Sequence, residues 1–259
     1  MRRNALILLL FALLSFNLFA SQDMPKNKEA YVIIIIDDFG NNLTGTKEIL
    51  EMPIKLTGAV IPGMRYSAHD AKKLHESGKE VILHVPLEAE CGKKEWLGDM
   101  GITTDMDEDQ INEILGKAIK EIPYVKGMNN HMGSKAMKNE LVVSQLMEFA
   151  KCNSLYFVDS KTTDDKLSKK LSLKSGVKFF TRDVFIDNQL SVYEAKKRLL
   201  ELEKIAKEKG FAIGIGHVGK KGPYITQALK EMIPQMQERG IKFVTLTELM
   251  EIKGDRKST

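Results

Sequence analysis

The 259-residue sequence predicts an α/β fold, specifically a distorted (β/α) barrel of seven or eight strands. Three observations carry this expectation. Apolar, strand-like runs alternate with amphipathic helical stretches along most of the chain. The first run, Val32-Ile33-Ile34-Ile35-Ile36, is five consecutive β-branched residues, as befits a strand buried on both faces of a parallel sheet. Polar residues suited to chemistry then fall at the carboxyl ends of these runs, where a barrel gathers its active site. A doubly wound open sheet is the rival, weakened because no glycine-rich nucleotide loop follows the first strand.

Taken in order, the apolar runs place strands at 31–36, 55–61, 80–85, 123–128, 155–158, 177–180, 211–215 and 242–246. Amphipathic stretches place helices at 44–52, 67–77, 107–122, 136–153, 165–175, 192–209 and 224–239. Ser67 and Asp107 suit helix N-caps, and Pro223 suits a first helical position. Gly78, Gly176, Gly210 and Gly240 each stand just past a helix, where a left-handed residue is wanted. No repeat or low-complexity tract divides residues 30–252, which read as one domain followed by a polar tail at 253–259.

The N-terminus reads differently. Arg2-Arg3, an apolar run from Ala5 to Phe16 and the small residue Ala20 before Ser21 have the pattern of a signal peptide over residues 1–20. Its apolar core is shorter than the ~20 residues of a membrane span. A polar linker follows at 21–29. The expected location is therefore periplasmic or secreted, with no stable membrane insertion after cleavage. The formal charge of +4 falls to +2 without Arg2 and Arg3. No basic stripe interleaved with aromatics appears, so nucleic acid is not an expected partner. Lys166, Lys169, Lys170 and Lys174 share one helical stretch and read as a solvated face. Cys91 and Cys152 could pair in an oxidising compartment, but two isolated cysteines are no disulfide framework.

The candidate chemistry sits at strand ends. Asp37 and Asp38 end the first strand, and Gly40 lets the backbone turn sharply after them. Two adjacent carboxylates repel unless a cation or proton lies between them. His84 and Glu88 follow the third strand, His131 the fourth, Asp159 the fifth, Arg182 and Asp183 the sixth, and His217 the seventh. Several have a plainer reading: a helix cap for the Asp pair, a buried packing histidine for His84, a turn cap for Asp159, and a structural ion pair for Arg182-Asp183. His69 and His75 lie six positions apart on one helix, about 600° around it, so they cannot share a metal. Carboxylate and imidazole donors together suit zinc or a similar divalent ion. Asp38-Phe39-Gly40 also matches the kinase magnesium tripeptide, but no glycine-rich loop, strand lysine or catalytic HRD sequence accompanies it.

In order along the chain, Asp37-Asp38-Phe39-Gly40, His84-Val85-Pro86-Leu87-Glu88, Asn130-His131-Met132-Gly133-Ser134, Val158-Asp159-Ser160, Arg182-Asp183-Val184-Phe185 and Gly216-His217 resemble the divergent polysaccharide deacetylase family. That family is a remote branch of the NodB-like carbohydrate esterases, and the resemblance spans residues 31–249. It implies a NodB-like barrel and a metal-dependent hydrolase removing acetyl groups from amino sugars of a glycan. It further implies Asp37 as base, Asp38 as metal ligand and His217 as general acid. Asp159, Arg182 and Asp183, at strand ends, are further catalytic candidates. His84 matches the first position of a His-x-x-x-His ligand motif whose second histidine is replaced here by Glu88. The third ligand is then Glu88 or His131, and the glycine- and amide-rich loop of His131 favours the histidine. The Arg-Pro-Pro-Tyr segment of NodB-like enzymes is absent, with 129–134 in its place. Those two departures motivate a second reading, a non-catalytic envelope barrel that binds glycan or a protein partner. A third reading keeps the hydrolase and changes the bond to an ester or a peptide amide.

Overall fold

In the computed structural model, which describes residues 29–255, every strand pairing is parallel and all strands belong to one curled sheet. The strands are β1 (Ala30–Phe39), β2 (Thr57–Val60), β3 (Glu80–Leu87), β4 (Val125–Met132), β5 (Tyr156–Asp159), β6 (Phe179–Thr181), β7 (Val184–Phe185), β8 (Phe211–His217) and β9 (Ile241–Phe243). The α-helices are α1 (Thr46–Leu50), α2 (Ser67–Glu76), α3 (Glu108–Glu121), α4 (Glu140–Cys152), α5 (Leu167–Ser175), α6 (Val192–Lys209), α7 (Gly222–Glu238) and α8 (Leu246–Asp255). Strand order is β6-β5-β4-β3-β2-β1-β8-β7, with β9 on β1.

The ring closes through one segment that changes partner midway. β6 pairs with β5, and the Arg182 amide still donates to the Asp159 carbonyl. One residue later the Asp183 amide donates to Ile213, and β7 pairs with β8. Residues 179–185 thus join both ends of the sheet, giving seven staves. β9 is a short eighth at the base: it pairs with Ala30–Val32 of β1, while β2 takes the same edge farther on, from Ile35 to Phe39.

Why β1 is a solid β-branched run is now plain. Val32, Ile34 and Ile36 face the surrounding helices, whereas Ile33 and Ile35 join Ala59, Ile82, Val158, Ile213 and Ile215 inside the barrel. Each such side chain contributes roughly 1.5–3 kcal/mol of transfer free energy on burial. The base of the barrel is closed by Leu246 and Leu249 of α8.

That helix corrects two expectations. The strand foreseen at 242–246 stops at Phe243, and residues 253–255 continue a helix instead of starting a tail. The cause is a capping box: the Thr245 amide donates to Glu248, and the Glu248 amide donates to the Thr245 hydroxyl. Elsewhere Asp107 caps α3 with Gln110 reciprocating, and Gly176 and Gly210 end α5 and α6 in left-handed conformations. Ser67 is not a cap; it is the first residue of α2, and its hydroxyl donates to the Ile61 carbonyl. The helix foreseen at 136–153 begins as α4 at Glu140, because Asn139 caps it through the Val142 amide. Cys91 and Cys152 are both free and exposed, so the pairing left open by the sequence is not formed. The proposed leader, residues 21–28 of the linker and residues 256–259 lie outside the described residues. Among the described residues no helix is long and apolar enough to cross a membrane.

Candidate active site

Successive strand residues point to opposite faces, so Asp37 and Asp38 should diverge. They do not, because β1 is irregular at this point. Asp38 has φ +70°, and the β1–β2 register shifts between Ile36 and Phe39. Both carboxylates therefore face one site: the Nε2 of His84 lies 3.7 Å from Asp37 Oδ2 and 3.4 Å from Asp38 Oδ1. The turn beyond is held by buried Asp70, whose Oδ2 accepts from the amides of Gly40 and Asn42. At Gly40, with φ +127°, a Cβ would lie 3.0 Å from the Ile61 carbonyl oxygen, so the close turn needs glycine.

Three donor atoms converge there. Asp38 Oδ1 lies 3.1 Å from His131 Nδ1 and 3.4 Å from His84 Nε2, and the two ring nitrogens are 3.2 Å apart. In tetrahedral coordination with zinc-like bonds of about 2.05 Å, ligand atoms stand about 3.3–3.4 Å from one another. The triangle matches that edge. Asp38 Oδ1 is also buried with no hydrogen bond, since neither imidazole is aligned to donate to it. A carboxylate oxygen left bare between two imidazole nitrogens is a group whose missing partner a cation would supply. The donor set therefore fits a divalent metal.

Asn129, fully buried, ties this triangle to the second carboxylate. Its Nδ2 donates to Asp37 Oδ1 at 2.9 Å, and its Oδ1 accepts from His84 Nδ1 at 2.7 Å. A neutral His84 so held carries its proton on Nδ1 and turns the Nε2 lone pair toward Asp38. His217 stands beside Asp37 across the β1–β8 ladder. Asp187, fully buried, accepts from the His217 backbone amide at 2.6 Å and from its Nδ1 at 3.0 Å.

The two carboxylates are driven apart electrostatically. Burial raises the Asp37 pKa above its ordinary value, despite the opposing pull of His84, His217 and Asn129. Burial also acts to raise Asp38, but hydrogen-bond-range contact with His131 and His84 overcomes it and holds the group well below the carboxylate range. For His84, burial opposes the charge, and the Asp37 and Asp38 carboxylates outweigh it, so its pKa rises. His217 is raised in the same way, with Asp187 as the dominant partner against burial. Such splitting sorts a proton acceptor (Asp37) from a permanently charged oxygen (Asp38).

Of the residues foreseen from the sequence, Asp37, Asp38, His84, His131 and His217 come together, and the other four do not join them. Glu88 is turned away: Oε1 accepts from Lys135 and Oε2 from the Thr104 amide and hydroxyl, and the lysine leads in lowering its pKa to about 2. Asp159 accepts from the Lys161 amide and the Ser168 hydroxyl, so it organises the start of α5. Asp183 accepts from the Ile213 amide and Lys209 at the ring closure. Arg182 holds the Ser160 carbonyl and lies 3.6 Å over the Phe185 ring, which itself leans on His217, so it buttresses the site rim. Sequence reasoning missed Asp187 and did not see the double role of Asn129. Both follow the period of two that points Phe185 and His131 inward, which was the available signal.

Comparison with known proteins accords with this geometry. The model of the divergent polysaccharide deacetylase family matches residues 34–250. The uncharacterized protein YibQ of Escherichia coli K12 is 32% identical over 200 residues, 77% of this chain and 61% of YibQ, so the chain spans less than two thirds of that relative. The crystal structure of the uncharacterized protein ATU2773 from Agrobacterium tumefaciens C58 superposes with a TM-score of 0.80 at 19% identity, covering 86% of this chain and 89% of that one. The catalytic domain of a peptidoglycan N-acetylglucosamine deacetylase from Eubacterium rectale shares the fold at a TM-score of 0.53 and 13% identity, covering 88% and 93%. With its NodB-like barrel and a family match across nearly all of the described residues, the chain belongs to the divergent polysaccharide deacetylase family.

Proposed function

We propose that the protein is a metal-dependent hydrolase that removes acetyl groups from the amino sugars of a cell-envelope glycan. On this reading it works in the periplasm or outside the cell once residues 1–20 are removed. The observation that carries it is the donor triangle of Asp38, His84 and His131, with Asp37 on one side and His217 on the other. A divalent ion bound by these three, zinc by the chemistry of the donors, would activate water and polarise the acetamide carbonyl. Asp37 would accept the proton of the attacking water, a role supported by the burial that raises its proton affinity. His217, oriented through Nδ1 by Asp187, donates a proton to the departing amine nitrogen. Asn129 keeps the base and one ligand in fixed relation.

The non-catalytic reading drew on the missing second histidine. On this reading His131 takes that chemical role from another strand, which favours the enzyme, while the absent Arg-Pro-Pro-Tyr segment still speaks for the inert barrel. Metal content of the purified chain and acetate release from chitooligosaccharides and peptidoglycan fragments test the proposal. Acetate release lost on chelation, in Asp37→Asn and in Asp38→Ala is the expected result. A chain that binds no metal and releases no acetate would overturn it, and release from esters or peptides alone would redirect it to another bond.

A further inference from the structure

The exposed face of α5 goes beyond the catalytic reading. Its outward residues Lys169, Lys170, Leu173 and Lys174, with Lys166 at the position that precedes the helix, are spaced three and four apart so that they form one stripe. On other helices several lysines are paired with acids a turn away, as Lys47 with Glu51, Lys117 with Glu113 and Lys207 with Glu203. Helix α5 contains no acidic residue, and among the described residues these four lysines have no carboxylate partner. Lys151 of α4 lines the same groove as Lys174, and it lines a second one with exposed Lys178. The nearby acids are few: Asp164 and Asp165 before the helix, the latter occupied in accepting from the Leu167 amide, and Glu148 in the groove.

In the middle of this stripe sits Leu173, 76% exposed and the most exposed large hydrophobic side chain among the described residues. A soluble polyanion would satisfy the lysines and give the leucine nothing. A membrane surface satisfies both, because the lysines meet headgroup phosphates while the leucine enters the acyl boundary. We propose that α5 docks the barrel onto an anionic phospholipid bilayer, with the helix lying in the plane of the interface. The amino end of α5 is tied to the carboxyl end of β5 by the Ser168 hydroxyl donating to Asp159, so docking would hold the site's rim next to the membrane.

The test is vesicle co-sedimentation of the full chain at low salt, with phosphatidylcholine vesicles compared against vesicles containing phosphatidylglycerol. An N-terminal segment, if retained, carries Arg2 and Arg3 and adds its own preference for anionic vesicles, so the deciding readout is the change made by the α5 variants in the same chain. The expected result is a preference for the anionic vesicles that disappears at high salt. Each surface lysine contributes about fivefold in partition, so Lys169→Gln with Lys170→Gln should lower the preference about 25-fold. Leu173→Gln should lower binding to anionic vesicles while leaving the melting temperature unchanged, since all three side chains are solvent-exposed. Equal binding to both vesicle types, or a preference untouched by these variants, overturns the proposal. Binding to soluble polyphosphate without binding to vesicles overturns it too, in favour of a soluble polyanion.

Discussion

Replacing Asn129 should separate metal binding from stability in a way only the proposed architecture explains. Asn129→Ala removes the acceptor that orients His84 and the donor that serves Asp37, at a position with no solvent exposure. Loss of a partner outside the ligand set typically lowers metal affinity about 10–100-fold, or about 1.4–2.8 kcal/mol. Asp37 Oδ1, left buried without its donor, adds about 1–3 kcal/mol of destabilisation. Asn129→Asp is the control. It keeps an acceptor for His84 Nδ1, so affinity should stay near that of the parent. It also sets a second carboxylate against Asp37, which raises the Asp37 pKa further and moves the acid limb of the rate profile to higher pH. Zinc competition against a chromophoric chelator reads the affinity, and thermal melting of the metal-free chain reads the stability. Asn129→Ala binding zinc within twofold of the parent would refute the idea that Asn129 sets the His84 ring.

Other consequences are more local. Glu88 has a folded pKa of about 2 against an ordinary 4.5, so its contribution to stability is complete above 4.5 and is lost as pH falls toward 2. Glu88→Gln should therefore lower the unfolding free energy measured by urea at neutral pH, by on the order of 1 kcal/mol for such a partly solvated pair, and match the parent near pH 2. Gly216→Ala would put a Cβ 1.9 Å from Ile225 Cδ1, and buried Ile225 cannot yield freely, so a loss of about 1–3 kcal/mol in chemical denaturation is expected. Asp187→Asn retains the shape and removes the charge that orients and supports a protonated His217. A fall of about 10²–10⁴ in kcat with little change in KM is expected from deacetylation kinetics.

The sequence disclosed what burial and strand geometry control, and hid what depends on irregularity. β1 was readable because a strand packed on both faces needs a continuous apolar run, and residues 32–36 supply one. The convergence of Asp37, His84, His131 and His217 was readable because parallel strands of a barrel end on one face. Asp159 misled because position at a strand end does not fix which way a side chain faces. Tyr156 and Val158 point into the barrel, so Asp159 points out toward Ser168. The same parity would have found Asp187, two residues beyond inward-packed Phe185. The positive φ of Asp38, which brings both carboxylates to one site, has no counterpart in composition or spacing. Nor does the partner change at Arg182-Asp183, which closes the ring.

Strand geometry also explains why a ligand foreseen four residues after His84 is found on the neighbouring strand. β3 stays extended to Leu87, so Glu88 lies about 13 Å along the strand from His84, at about 3.3 Å per residue. No ordinary side chain spans that distance back to the site. On β4, by contrast, Asn129 is the direct register partner of His84, and His131 is its diagonal neighbour on the same inward face. Diagonal neighbours lie about 7–8 Å apart, within the combined reach of two imidazoles. The ladder therefore delivers both the ligand and the residue that orients it. A histidine placed at position 88 cannot substitute for one at 131 while β3 keeps this conformation. His131→Ala should abolish zinc binding, and adding Glu88→His to that variant should not restore it; recovery of binding in the double variant would show that β3 can bend and that the strand argument is wrong.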